Sequence, residues 1–224
     1  MEREEWKERR NTELVFLLDR SASMEGLEKD TIEGFQSVIK KQISQKETVR
    51  VTTILFDDSC EELYFRQRVK DVPRMTEKEY FVRGCTALLD AMGKTIHKMV
   101  SVEKSRKEMK KEIQVIFVII TDGIENSSRE YTYDVVKRLI EKKKKEGWEF
   151  LFLGANMNAV REAGNLGISA DRSVTFCNDG EGVALNYEVI GDTISDMLRV
   201  PAIKESIDGS WKRRIESDYR KRGK

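Results

Sequence analysis

The chain reads as an α/β protein: a doubly wound, mostly parallel six-stranded sheet with one antiparallel edge strand and helices on both faces. Three observations predict this. Short apolar runs of strand length alternate with segments whose apolar residues recur at helical spacing. The most hydrophobic run, residues 115–120, is apolar throughout, as a strand covered on both faces must be. Aspartates or turn residues follow the strand ends, where open parallel sheets place their ligands.

Residues 13–18 form the first strand, with Leu14 to Leu18 apolar and Asp19 just past its end. Phe35, Val38, Ile39 and Ile43 then mark one face of a helix, and residues 50–56, rich in β-branched side chains, form the second strand. A helix between two strands makes them parallel. Residues 57–60 are too few for another crossover, so residues 61–65 return antiparallel as an edge strand. Leu88, Leu89, Met92, Ile96, Met99 and Val100 line a long helix, and lysine-rich residues 104–111 separate it from the strand at 114–120. Thr121-Asp122-Gly123 ends that strand in a turn. Val135, Val136, Leu139 and Ile140 predict the next helix, followed by a strand at 149–153, a short helix at 159–166 and a strand at 173–176. Val183, Tyr187, Ile190, Ile194 and Met197 mark the last helix of the domain, which ends before Pro201. If the strands take the common order 3-2-1-4-5-6, the turn at Asp19 lies beside the turn at Asp122.

At 224 residues, burial of about 70% of the unfolded surface is attainable. We divide the chain into a charged N-terminal extension at 1–11, one domain at 12–200 and a basic C-terminal tail at 201–224. Charged residues make up 36% of the chain but nearly cancel to a formal +1, so net charge points to neither nucleic acid nor membrane. The first ten residues carry no apolar stretch resembling a signal peptide, and no run approaches the roughly 20 residues that span a bilayer. Cys60, Cys85 and Cys177 are odd in number, widely spaced and without a C-x-x-C pair, which fits a reducing cytoplasm.

Asp19-Arg20-Ser21-Ala22-Ser23 carries three oxygen-bearing side chains on alternate residues, so they can converge while Arg20 and Ala22 face away. Gly84-Cys85-Thr86 and Thr121-Asp122-Gly123 supply two more oxygens from other loops. All are hard donors of the kind Mg²⁺ and Ca²⁺ take.

These three pieces, in this chain order and at strand ends, resemble the metal-ion-dependent adhesion site of the von Willebrand factor A family. The likeness spans about residues 11–200, and the type it suggests is a stand-alone intracellular bacterial or phage domain with the five-residue motif intact. The resemblance implies a Rossmann-like fold and one divalent cation, Mg²⁺ first, with Mn²⁺ or Ca²⁺ as alternatives. Ser21 and Ser23 would bind it directly, and Asp19, Thr86 and Asp122 directly or through water. A shell so poor in charge leaves the ion electropositive, so a Glu or Asp of a partner protein is the natural last ligand. Glu25, Glu125 and Asn126 lie on the same loops and are candidates for a partner-binding rim.

The implied activity is binding without catalysis. The rival is a Mg²⁺-dependent phosphatase or phosphotransferase with Asp19 as nucleophile, which wants a second acid two residues on, where Ser21 stands. Gly93-Lys94-Thr95 lacks the remaining glycine of a phosphate-binding loop. His97 reads as a helix-surface residue, Lys142 to Lys145 as a solvated face, and Cys85 as a small packed residue. The tail, with Trp211 and Tyr219 among its bases, offers a lesser route to nucleic acid; packing back onto the domain is the expectation.

Overall fold

The computed structural model describes residues 11–44, 48–108, 113–155, 157–199 and 207–222. The N-terminal extension up to residue 10 and the segment containing Pro201 lie outside them. Six strands form one sheet: β1 (Asn11–Asp19), β2 (Thr48–Phe56), β3 (Cys60–Arg68), β4 (Ile113–Thr121), β5 (Glu149–Ala155) and β6 (Ser173–Phe176). Their order is β3-β2-β1-β4-β5-β6; β3 alone runs antiparallel to its neighbour. The expected sheet is the observed one.

Six helices accompany it: α1 (Glu28–Ile43), α2 (Leu88–Glu108), α3 (Tyr133–Lys145), α4 (Ala159–Asn165), α5 (Gly180–Arg199) and α6 (Arg213–Arg222). Successive side chains of β1 point to opposite faces, and neither face meets water. Leu14, Phe16 and Leu18 pack with Phe35 and Val38 of α1, Ile190 and Ile194 of α5, and Ile215 of α6. Val15 and Leu17 pack on the other side with Met92 and Ile96 of α2, Val136 and Ile140 of α3, and Ala163 of α4. Burying each such side chain contributes roughly 1.5–3 kcal/mol, which is why these uninterrupted apolar strands sit at the centre of the sheet. No described helix is long and apolar enough to cross a membrane.

The apolar helix faces are buried as expected except at Val100 and Leu139, which are half-buried, and at Ile43 and Val135, which are exposed. Gly93 owes its place in α2 to Tyr131, whose ring lies 2.2 Å from where a Cβ would stand, and His97 is exposed. Two expectations are corrected. Lys143 is buried: its ammonium donates to Glu103 (2.8 Å) and Glu146 (2.7 Å) and lies 4.8 Å from the Trp148 ring centre. A lysine run on a helix reads as solvated, but the acid that draws Lys143 inward comes from α2. Cys85 is exposed rather than packed, next to the left-handed turn at Gly84.

Candidate metal centre

Backbone bonds stitch three loops together at the C-terminal end of the central strands. After Asp19 the chain turns through Arg20 and Ser21 into a 3-10 turn at Ala22–Met24. The Arg20 amide donates to the Phe56 carbonyl (2.8 Å), fixing this turn to the end of β2. The Arg83 amide donates to the Arg20 carbonyl (2.9 Å) and the Ala22 amide to the Gly84 carbonyl (3.2 Å), which joins the second loop to the first. Gly84 takes a φ of +64°, where a side chain would be strained and would also press on Asp58. Thr86 and Asn126 join the third loop: the Thr86 amide donates to Asn126 Oδ1 (2.9 Å) and the Asn126 amide to the Thr86 carbonyl (3.0 Å).

The side chains converge accordingly. Asp19 accepts from the Ser21 amide (2.7 Å) and from Thr121 Oγ1 (2.5 Å). Ser23 Oγ donates to Asp122 Oδ1 (2.5 Å), and the Ser21 and Ser23 hydroxyls stand 3.0 Å apart. Thr86 enters from across Gly123: a Cβ there would come within 2.6 Å of Thr86 Oγ1 and 3.3 Å of Ser23 Oγ. Both hydroxyls therefore border one small space that glycine leaves open. Asp19, Ser21, Ser23, Thr86 and Asp122 thus lie around the same end of the sheet, where the strand order sets the first turn beside the third.

Electrostatics sets this cluster apart. Burial pushes the Asp19 carboxyl up to about 6, against the hydrogen bonds from Thr121 and Ser21 that pull it down. Asp122 is likewise raised by burial. Their hydrogen-bond donors are uncharged: hydroxyls, an amide N–H and the Asn178 carboxamide. Two buried carboxylates and three hydroxyls without a cationic side chain make a set of hard oxygen donors that fits Mg²⁺, Mn²⁺ or Ca²⁺. Among the described residues no group of three or more His, Cys, Asp and Glu is placed to hold a metal, so a soft or nitrogen-rich site is not offered.

The three rim candidates fare differently. Glu25 is exposed. Glu125 turns inward, accepting from the Leu89, Ser127 and Ser128 amides (2.8, 3.0 and 2.7 Å), while Asp90 of α2 accepts from the Arg129, Glu130 and Tyr131 amides (3.0, 2.9 and 2.9 Å). This exchange of caps clamps the third loop onto the first turn of α2, just after Thr86 and Asp122 in the two segments. Asn126 is exposed, yet its carbonyl oxygen is engaged by Thr86.

Three residues at the site are not among the expected ligands. Thr121 is part of the Thr-Asp-Gly turn but serves as a donor to Asp19. Tyr80, fully buried, donates its hydroxyl to the Asp19 carbonyl from a stretch without periodicity. Asn178, between β6 and α5, donates to Asp122 Oδ2 (3.3 Å).

Comparison with known proteins places the fold. The family described as von Willebrand factor type A domain matches residues 13–184. None of the curated proteins matches the chain in sequence. Among solved structures, proximal thread matrix protein 1 from the mussel byssus, with a zinc-occupied metal-ion-dependent adhesion site, superposes with a TM-score of 0.56 at 13% identity, over 84% of this chain and 46% of that one. This chain thus spans just under half of that protein. The vWF domain of the type V pili tip protein Mfa5 from Porphyromonas gingivalis gives a TM-score of 0.56 at 12% identity over 89% and 99% of the two chains. The conserved hypothetical protein BatB from Bacteroides thetaiotaomicron gives 0.55 at 13% over 84% and 100%. At these identities the likeness is one of fold.

Proposed function

Because the chain belongs to the von Willebrand factor type A domain family, whose members are in general interaction modules rather than enzymes, we propose that it is a divalent-cation-dependent protein-binding adaptor. In this reading Asp19, Ser21, Ser23, Thr86 and Asp122 hold one ion, Mg²⁺ first, and a Glu or Asp of a partner protein completes its shell. The single observation that carries the reading is a pair of buried carboxylates set among three hydroxyls, with only uncharged groups donating to them. The structural relative with a zinc-occupied site supports a divalent cation in this fold.

When bound, the ion supplies a positive centre for a carboxylate. The protein's own residues do the rest: Thr121 and the Ser21 amide orient Asp19, Asp122 orients Ser23, and the clamp between Glu125 and Asp90 keeps Thr86 in place. Asp19 is 1% exposed with both oxygens engaged, a poor placement for a nucleophile, so the phosphotransfer reading gains no support. Two of the five bases of α6 contact acids of the chain, Arg222 with Asp179 and Asp218 and Arg214 with Glu188, and Lys212 just before the helix donates to two carbonyls; Arg213, Arg220 and Lys221 are exposed. Three free thiols support a reducing, cytoplasmic setting.

The test is affinity capture from native cell extract, with Mg²⁺ and with chelator in parallel. A partner retained only with Mg²⁺, and lost when Ser21→Ala and Ser23→Ala are combined, is the expected result. Capture that survives both the chelator and the double substitution contradicts the proposal.

A further inference from the structure

The family match ends at residue 184, and α6 lies beyond it, yet α6 reaches back to the loop beside Asp122. Its base is firmly docked. Trp211 Nε1 donates to the Asp171 carbonyl (2.8 Å), Lys212 Nζ donates to the carbonyls of Ala170 (2.7 Å) and Ser173 (2.9 Å), and Ile215 is buried in the core. Its far end carries Arg222, which donates to both oxygens of Asp218 (2.8 and 2.5 Å) and to Asp179 Oδ2 (2.7 Å), with Glu181 3.4 Å away.

Asp179 is the hinge of this contact. While Arg222 holds one of its oxygens, the other accepts from the Gly182 amide (2.8 Å), and its carbonyl accepts from Val183 (2.9 Å), so the same residue starts α5. The neighbouring Asn178 donates to Asp122, and its side-chain oxygen Oδ1 is buried without a hydrogen-bond partner among the described residues. An oxygen so placed costs free energy that other contacts of the loop must offset, and Arg222 supplies such a contact from one residue away.

We propose that Asn178 is a positioning residue for Asp122, and that α6, through Arg222 and Asp179, is a clasp whose docking sets the cation affinity of the site. The proposal rests on the metal-binding reading above. Undocking of α6 frees Asp179, loosens residues 177–182 and leaves Asp122 held by Ser23 alone. A partner that captures the C-terminal helix would thereby weaken cation binding, and a bound cation would favour the docked helix to the same extent.

The test compares Mn²⁺ titration by calorimetry with amide exchange at Gly182 and Val183 in chelator. Asn178→Ala is expected to bind Mn²⁺ about tenfold more weakly. Arg222→Ala should bind about fivefold more weakly and exchange faster at both amides. Arg222→Lys, which retains a cation opposite Asp179, should recover affinity to within about twofold. Arg214→Ala breaks the exposed pair between α6 and Glu188 of α5 without touching the loop, and should match the wild type in both readouts. Wild-type affinity in Arg222→Ala, or an equal loss in Arg214→Ala, overturns the clasp while leaving the metal site standing. A wild-type protein that binds no Mn²⁺ overturns both.

Discussion

Two buried aspartates stand at the ends of adjacent strands, Asp19 closing β1 and Asp57 directly following β2, and the chain treats them in opposite ways. Asp57 accepts from Arg20 Nε (2.8 Å), Arg83 Nε (2.8 Å) and both the amide and hydroxyl of Ser59 (2.8 and 2.7 Å). Burial pushes its carboxyl up, but Ser59 and the two guanidinium groups outweigh this and hold it far below the usual range. Asp19 receives only an amide and a hydroxyl, and burial wins. Arg20 is the residue next to Asp19, yet its side chain, fully buried, crosses to Asp57 and comes within 2.8 Å of Glu61. The charge beside the Asp19 cluster has been directed elsewhere. One acid is finished by the protein itself; the other receives no charged partner from the chain, and in the function proposed above a cation completes it.

The largest effect should come from spoiling the finished acid. Arg20→Ala leaves Asp57 buried with one guanidinium lost, and should cost about 3–5 kcal/mol in chemical denaturation. A loss under about 1 kcal/mol would mean that Arg83 alone satisfies Asp57 and that the contrast is overdrawn.

Next comes the pH response of the unfinished acid. The Asp19 carboxyl at about 6 in the folded protein, against an ordinary 3.8, means the folded state keeps a proton the unfolded chain has released. Its contribution is therefore fully present below pH 3.8 and is lost as pH rises to about 6, by up to about 3 kcal/mol. In chelator, the stability difference between wild type and Asp19→Asn should shift by this amount between those pH values, in favour of the variant at the higher pH. A difference that is flat with pH would mean that folding does not raise the Asp19 carboxyl, and one of opposite sign would place Asp19 with a positive partner.

Gly123→Ala tests the space between the hydroxyls. Its Cβ must displace Thr86 or Ser23, at a cost of roughly 1–3 kcal/mol and with at least about tenfold loss of Mg²⁺ affinity. Unchanged affinity would show that the space is not where an ion sits. The smallest change is expected for Glu125→Gln, about 1 kcal/mol of stability from weakened caps, with affinity reduced far less than by Gly123→Ala. A larger loss of affinity than of stability would restore Glu125 to the rim.

Much of this was legible before the fold was known. Apolar runs such as 115–120 admit few readings other than buried strands, and the strand order that follows from crossovers puts Asp19 beside Asp122. The alternation of Asp19, Ser21 and Ser23 also anticipates that Arg20 faces away. What stayed hidden depends on partners far off in sequence. That Arg20 would be fully buried needs Asp57 and Glu61; Lys143 is drawn in by Glu103; Glu125 is turned inward by the first turn of α2. Tyr80 and Met75 are wholly buried in a stretch with neither helical nor strand periodicity, so no pattern marks them. Asn178 is a single polar residue in a short loop, recognisable only once β6 lies beside β5.

The most direct measurement is thermal unfolding of wild type and Asp19→Asn at neutral pH, each in chelator and in saturating Mg²⁺. At about a hundred times the dissociation constant, Mg²⁺ should add about 2.7 kcal/mol to the wild type, a rise in Tm of roughly 5–10 °C, and nothing to Asp19→Asn. A wild-type Tm unmoved by millimolar Mg²⁺, Mn²⁺ and Ca²⁺ would contradict the account.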